Sequence, residues 1–555
     1  MTLKSRFDRD FIKEGTMASN ISIAVGQCGL QVCDATLNIV HRAPDYQDIS
    51  STSSKPYENI FSESSPTNVG TVRRASFHPS GRARAIFVDS EPRVLSTLQT
   101  NASKPWICSQ GTSCVNDTSG RGNNWAQGYL QSSVLVAKAM ESVRKEVEAC
   151  DWYRGCTLYH ALGGGTGSGT GTRIARAVRD QYSKCNIASI CIAPSASYES
   201  PVYGYNTVLS LWQLQQHADA ICMFTNDDLH QRAQRAIVGN QEDQNLILPK
   251  RGKVNRDPKM NVQIPLQSLN NQCAISVAGM VYPSCLPVSP ASSSSPFSLY
   301  SPFRSVGIHD TISNVVPIND LKYIDIRSSI YSLPSDRERS RRRLKSTSTD
   351  SWTRTAKLLM KAIPKFDVEN ERIQTLHQNI IVKGDDDGVS TQSPWSKSGI
   401  KITKRILSTL HPVSWNLDAH LKEGRSMQCV SRSSMDAFDG RSMTCISNRT
   451  AAASLLRRLH NKTGEMFSAN AYVHWYEEHG CDRDIFVEAF ESCARTVSAY
   501  RAASQREARG AFINVLETPT SIKGGSSNIF READPYDVLM DENVNSGKPS
   551  SSPSY

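Results

Sequence analysis

Glycines and hydroxyls crowd one stretch, Leu158-Tyr-His-Ala-Leu-Gly-Gly-Gly-Thr-Gly-Ser-Gly-Thr-Gly171, where a short apolar run breaks off and a helix-period segment opens. Gly163, Gly164, Gly165, Gly167, Gly169 and Gly171 let the backbone take positive φ and approach a bulky anion, while Thr166, Ser168 and Thr170 offer hydroxyl donors. The chemistry these residue types suit is di- or triphosphate binding, with the phosphates expected over Gly164 to Thr170. A Walker A loop would need a Lys after its last Gly, and a dinucleotide fingerprint would need Gly at i, i+2 and i+5; neither spacing occurs. A flexible linker is the plainer alternative, but a linker would not sit between a strand and an amphipathic helix. A second chemical group is Asp89-Ser-Glu91, just past the apolar run Ala85-Ile-Phe-Val88. Carboxylates at a strand end can hold Mg²⁺ through water beside a phosphate. Asp89 or Ser90 could equally cap a helix entered at Pro92, and both readings can hold together.

Those residues need elements to position them. Thr172 to Tyr182 carries Ile174, Ala177, Val178 and Tyr182 at helical spacing, so its N-terminal dipole would point at the anion. Ile21-Ser-Ile-Ala-Val25 reads as a buried strand running into Gly26-Gln-Cys-Gly29, with a helix from Leu30 to about Val40. Gly120-Arg-Gly-Asn-Asn-Trp-Ala126 precedes a helix marked by Val136, Met140, Val143 and Val147, which leads to a strand at Cys156. Ile187 to Ala193 is another buried strand. Three loops after three strand ends predict a parallel sheet that binds its ligand at the carboxyl edge.

The loop wording resembles the tubulin/FtsZ family of GTP-binding proteins. The run Gly163 to Gly171 is similar to its glycine-rich signature, Gly26-Gln-Cys-Gly29 to its first nucleotide loop, and Gly120 to Ala126 to its Gly-x-Gly-Asn-Asn-Trp-Ala phosphate loop. The resemblance implies GTP or GDP with Mg²⁺ as ligands. It assigns Gln27 and Cys28 to the phosphates and base region, Asn123 to a phosphate oxygen, and Asp89 and Glu91 to the neighbourhood of the metal. Pro194 to Asn206 is similar to the ribose loop, which gives Glu199 and Asn206 roles there, although Tyr203 stands where a Glu is usual. Ile221 to Asp228 resembles the next strand and loop and places Asn226 on the guanine edge. A central-helix Asn that reads guanine is expected at Asn245, within Asp243-Gln-Asn245. The acidic loop that activates water in this family has no match, so no catalytic residue is assigned and both a structural GTP ligand and an active GTPase switch stay open. Ser142 to Asp151, Met466 to Tyr476 and Ser498-Ala-Tyr500 are worded most like the δ-tubulins, with ε-tubulins the nearest rival. That implies a component of microtubules, centrioles, basal bodies and cilia with other tubulins as longitudinal partners.

The resulting fold is α/β: a Rossmann-like GTPase domain with a parallel sheet over 20–245, an α+β second domain over 246–460, and a C-terminal helical hairpin over 461–500. Residues 1–19 and 501–555 read as a disordered arm and tail. Residues 246–270, with Lys250, Arg251, Lys253 and Arg256 beside Pro249 and Pro258, read closer to loop than helix. Ser/Pro-rich 284–304 and Arg-rich 334–350 read as low-complexity inserts. The Arg-rich cluster could meet acidic tubulin tails or nucleic acid, or be a nuclear address; a solvated insert is the plainer reading. Trp352 to Ile363 reads as a helix stopped by Pro364, and His377 to Gly384 as a strand. Ala451 to Leu459 is helical, and Met466 to Tyr476 with Ile485 to Tyr500 reads as paired helices packed through Phe486, Ala489, Phe490, Cys493, Val497 and Tyr500. Fifteen scattered cysteines without a Cys-x-x-Cys pair argue for reduced thiols, and with no signal peptide or membrane span the chain is expected to be cytoplasmic. Net charge of +10 in 555 residues is largely local, so general nucleic-acid binding does not follow.

Overall fold

The computed structural model describes residues 19–41, 76–78, 82–99, 114–195, 200–245, 264–281, 284–287, 303–306, 308–332, 349–383, 405–416, 427–429 and 440–505. Its centre is β1 (Ser19–Val25), buried along its whole length. β1 pairs in parallel with β2 (Ala85–Asp89), Val25 opposite Val88, and with β4 (Tyr153–Ala161), Ala24 opposite Tyr159. With β3 (Cys114–Asn116), β5 (Asn186–Ala193) and β6 (Ala220–Thr225) they form six parallel strands in the order β3-β2-β1-β4-β5-β6. Connections diverge to the two sides of the β1–β4 pair, which opens a crevice at the carboxyl ends there.

The helices, in chain order, are α1 (Gly26–His41), α2 (Pro92–Gln99), α3 (Trp125–Leu130), α4 (Ser133–Glu148), α5 (Gly171–Gln181), α6 (Val202–His217), α7 (Asn226–Asn245), α8 (Leu266–Val281), α9 (Ile308–Val315), α10 (Thr349–Ala362), α11 (Ala451–Ser468), α12 (His474–Glu477) and α13 (Arg483–Gln505). On one sheet face Ala24, Phe87, Tyr159 and Ile190 pack against Leu30, Cys33 and Leu37 of α1 and Cys273 and Val277 of α8. On the other, Ile23, Val25, Leu158 and Ile187 meet Leu135 and Val143 of α4, Ile174 and Val178 of α5, and Val497 and Tyr500 of α13. Coverage on both faces explains why these strands read as near-continuous apolar runs.

The sheet continues past β6, which pairs in parallel with β9 (Tyr323–Ser332); β12 (Gly440–Arg449) and β10 (Thr375–Lys383) follow antiparallel, and β11 (Met427–Cys429) closes the row in parallel. A partly buried ionic cluster crosses this seam. Asp228 of α7 pairs with Arg327 of β9 at 2.7 Å and Arg232 at 2.6 Å, and Asp325 pairs with Arg327 at 2.8 Å. Burial alone would raise Asp325, but the guanidiniums of Arg327, Arg232 and Arg449 hold its carboxyl below the ordinary range.

Several boundaries differ from the sequence reading. α1 begins at Gly26 rather than Leu30, because the turn glycines join the helix directly. The stretch read as loop ends in a helix from Leu266, stabilised by its apolar face on α1. The Ser/Pro-rich segment is flanked by a two-stranded ladder, β7 (Ser284–Pro287) with β8 (Phe303–Val306). The hairpin partner of α13 is α11, not the segment 466–476: α11 stops at Ser468, and the chain then turns through left-handed Asn470 and Tyr472. α13 runs on to Gln505, so the first five residues of the stretch read as a disordered tail are helical, and Ser19, read as the end of the arm, opens β1; the rest of the tail and arm and most of the Arg-rich insert lie outside the described residues. The described cysteines carry no disulfide, and among the described residues no helix is long and apolar enough to cross a membrane.

Candidate functional site

Three loops meet at the ends of β1, β2 and β4. Gly26 closes β1 at φ +71, and a Cβ there would lie 3.0 Å from the Gly167 nitrogen. Past β4 the chain runs through Gly163 and Gly164 into one wide π turn, Gly165–Thr170, and then into α5. A Cβ on Gly165 would sit 2.2 Å from the Arg121 carbonyl, and one on Gly169 would sit 2.3 Å from the Trp125 carbonyl. These glycines therefore let the loop press backbone to backbone against the 120–126 loop. Gly164 differs: its added Cβ would meet only the Asn123 Oδ1, at 3.9 Å. The first N–H groups of the turn lack partners within it, so they and the helix dipole make the open side of the loop attractive to an anion.

Left-handed Gly122 and Asn123, both at φ 51, carry the neighbouring loop to the surface. Asn124 behind them is buried and caps α3, accepting from the Ala126 N–H at 2.8 Å while donating to the Trp475 carbonyl at 2.8 Å. Exposure divides the residues: Gln27, Cys28, Glu91, Gly122, Asn123, Gly164 and Thr166 are exposed or half-buried, and Gly26, Asp89, Gly163, Gly165, Gly167 and Ser168 are buried. The accessible set is the lining of the crevice. Burial pushes the Cys28 thiol up to about 12, so it stays protonated.

The buried set braces that lining. Asn206, expected among the ribose contacts, is fully buried and spends its whole amide within the protein. Its Nδ2 donates to the carbonyls of Asn123 at 2.7 Å and Gly163 at 2.6 Å, while its Oδ1 accepts from the Trp125 N–H at 2.8 Å and the Tyr476 hydroxyl at 2.7 Å. It pins two loops together. Ser168 turns its hydroxyl inward to the Gly164 carbonyl and Thr170 to the Gly128 carbonyl, so of the three loop hydroxyls Thr166 is the one at the surface, 2.6 Å from Ser90. His160 supports the turn from beneath. Burial lowers its ring to about 4, leaving it neutral; Nδ1 lies 3.0 Å from the Gly167 carbonyl, which only a donor satisfies, so Nε2 accepts from Ser189 at 2.8 Å.

Asp89 and Glu91 stand at the end of β2, and the helix that follows starts at Pro92. The Asp89 Oδ1 accepts from the Glu91 N–H at 3.4 Å. Burial raises its carboxyl to about 6, and the Glu91 charge adds to the rise. A buried carboxylate raised in this way, beside an anion-binding turn, fits a divalent cation, which would supply the missing countercharge. Asp367, Glu369 and Glu371, the one described trio of carboxylates close enough to share an ion, lies instead on an exposed turn bridged by Phe366 and Arg372.

Asn226 lies half-buried at the start of α7, on the same carboxyl edge beyond β6. Glu199 and the Asn245 side chain lie outside the described residues. Tyr203 puts its ring under Gly163, 3.4 Å from where a Cβ would be. Sequence reading missed Ser90, His160, Tyr476 and Asn270. Asn270 is buried near the start of α8 and donates to Gln31 of α1 at 3.1 Å. Its signal was an Asn in an apolar-periodic run, hidden behind the basic, proline-containing stretch before it.

Residues 19–234 match the model of the Tubulin/FtsZ family, GTPase domain. Over 149 residues the chain is 39% identical to the tubulin beta-1 chain of Homo sapiens, covering 26% of this chain and a third (33%) of that protein's own length. It is 25% identical over 522 residues to the tubulin delta chain of Macaca fascicularis, covering 87% of this chain and 99% of that one, and 24% identical over 522 residues to the delta chain of Homo sapiens. The wide glycine turn, the parallel strand order and the match over 19–234 thus agree: residues 19–234 of the chain are a Tubulin/FtsZ family GTPase domain.

Proposed function

We propose that the chain binds GTP or GDP with Mg²⁺ in this crevice and works as a δ-type tubulin. In this reading it is a structural component of the microtubule cytoskeleton that serves centriole, basal-body and cilium assembly through longitudinal contact with other tubulins. The observation that carries the nucleotide reading is the convergence of Gly26, Asn123, Gly164 and Thr166 from three separate loops at one strand edge. Gln27, Asn123, Gly164 and Thr166 would face the phosphates, with Asp89 and Glu91 beside the ion. Cys28 and Asn226 would face the nucleoside. Asn270 rather than Asn245 takes the expected place of the guanine-reading Asn, since α8 packs along α1 next to Cys28. The near full-length likeness to the delta chains supports the δ-type assignment.

Equilibrium binding of a fluorescent GTP analogue to the purified chain tests the site. GTP and GDP should displace it and ATP should not. Equal displacement by ATP would remove the base-reading roles, and absence of binding would remove the site.

A further inference from the structure

The mixed half of the sheet carries a basic cleft that the nucleotide reading does not use. Helix α10 packs Trp352, Ala356, Leu359 and Ile363 on Ile380, Val382, Met443 and Cys445 of the sheet. Burying that stripe turns Arg354, Lys357, Leu358 and Lys361 to the surface, followed by Lys365 and Phe366 past the helix end. Between this face and Thr409 lies a cleft of about 750 Å³, with Arg354, Lys357, Lys361 and Lys365 on its walls and Ile363 and Pro364 in its lining. Among the described residues no carboxylate lines it. Lys357, Lys361 and Lys365 form no ion pair with any described residue. In the adjoining acidic turn the Asp367 Oδ1 accepts from the Glu369 N–H at 2.9 Å and the Glu371 N–H at 2.8 Å, and Glu369 pairs with Arg457.

We propose that this cleft docks an acidic peptide segment of a partner protein, one in which aliphatic or aromatic side chains interleave the carboxylates. Positions 354, 357 and 361 share one helix face, and a rise of about 1.5 Å per residue sets successive cations about 4.5 and 6 Å apart along the axis. Same-side residues of an extended peptide recur every ~6.6–7 Å, which brings alternate carboxylates near successive cations. Leu358 and Phe366, 43% and 59% exposed, offer apolar contact between the charges. A nucleic acid would neutralise the cations but leave these apolar side chains against phosphate and sugar; an acidic, apolar-interleaved peptide satisfies both. The cleft is open at the surface, so screening by salt should weaken the complex strongly.

The test measures fluorescence anisotropy of a labelled peptide alternating Glu with Leu and Phe, added to the full chain at low and physiological salt. The double variant Lys357→Glu/Lys361→Glu should bind it at least about tenfold more weakly, while Lys357→Arg/Lys361→Arg stays within about twofold, as expected for rim charges. Both positions are exposed, and unchanged far-ultraviolet circular dichroism and melting temperature establish that the variants fold. Unchanged peptide affinity after charge reversal would overturn the proposal. So would tighter binding of a labelled single-stranded oligonucleotide than of the peptide, or equal binding of a polyglutamate peptide without apolar residues.

Discussion

Gly164 and Gly165 are chain neighbours with opposite surroundings, and that contrast separates folding from ligand contact. Gly165→Ala would drive a methyl group to 2.2 Å from the Arg121 carbonyl, so the loop must shift; nucleotide affinity should be lost, with a lowered melting temperature. Gly164→Ala meets only the Asn123 amide oxygen at 3.9 Å, so it should leave the melting temperature unchanged and weaken nucleotide binding alone. Full affinity in both variants would place the phosphates elsewhere. Asn206→Ala leaves buried carbonyls and a hydroxyl without their partner, a loss of about 3 kcal/mol by denaturant unfolding, with affinity falling because Asn123 and Gly163 come apart. Asp89 gives a pH signature. Its carboxyl is raised by burial from 3.8 to about 6, so the folded ligand-free chain keeps a proton that the unfolded chain has released across that window. Its contribution to stability is therefore present at low pH and is lost as pH rises through about 6. His160, lowered to about 4, works in the opposite direction: it destabilises the fold as pH falls from 6.5 toward 4. Asp89→Asn should thus raise ligand-free stability at neutral pH and leave the His160 limb in place; an unchanged pH profile would contradict the burial of Asp89. Residue types at the crevice surface were legible, because glycine and hydroxyl spacing states the need for an anion directly. The braces were not: Asn206 reaches partners at positions 123, 163 and 476, a relation no local spacing encodes.

Elements with unambiguous periodicity were readable, and those whose stability comes from tertiary packing were not. The strands at Ile21, Ala85, Cys156 and Ile187 appear where their apolar runs predict, since a sheet covered on both faces demands such runs. Helix α8 is stabilised by Cys273 and Val277 on the core rather than by caps or charge pattern, and only its first turn, up to residue 270, falls in the stretch whose composition reads as loop. Likewise α11 extends from Ala451 to Ser468, beyond the short apolar stretch that announced it, because α13 lies against it, with His460 and Phe490 rings 5.3 Å apart. The seam between β6 and β9 hangs on buried charge, a feature that sequence pattern does not disclose. Asp325→Asn should leave the buried Arg449 without its carboxylate and Arg327 with Asp228 alone, and destabilise the fold by roughly 3 kcal/mol in denaturant unfolding. A change within error would mean that the cluster is solvated.

Across the whole molecule, one ten-stranded sheet joins the phosphate crevice to the mixed half that bears the basic cleft. The parallel half follows from the sequence through its strand–loop–helix rhythm, whereas the mixed half, interrupted by polar segments, shows in the sequence only one strand, His377 to Gly384, and isolated helices. α13 ties the two, since the Tyr500 hydroxyl donates to Asn448 of β12 at 2.8 Å and accepts from the Tyr323 N–H of β9 at 3.0 Å, while Phe486 packs on Tyr205 of α6. From Tyr476, which follows Trp475 in α12, a hydroxyl reaches Asn206 at 2.7 Å, so the C-terminal helices and the phosphate loops are joined directly. Whether this crevice holds a guanine nucleotide is read by releasing any bound nucleotide from the purified chain by denaturation and identifying it by chromatography. GTP or GDP at about one per chain is expected. A chain that carries no nucleotide and takes up none from added GTP and Mg²⁺ would contradict it, leaving the loops as a purely structural joint.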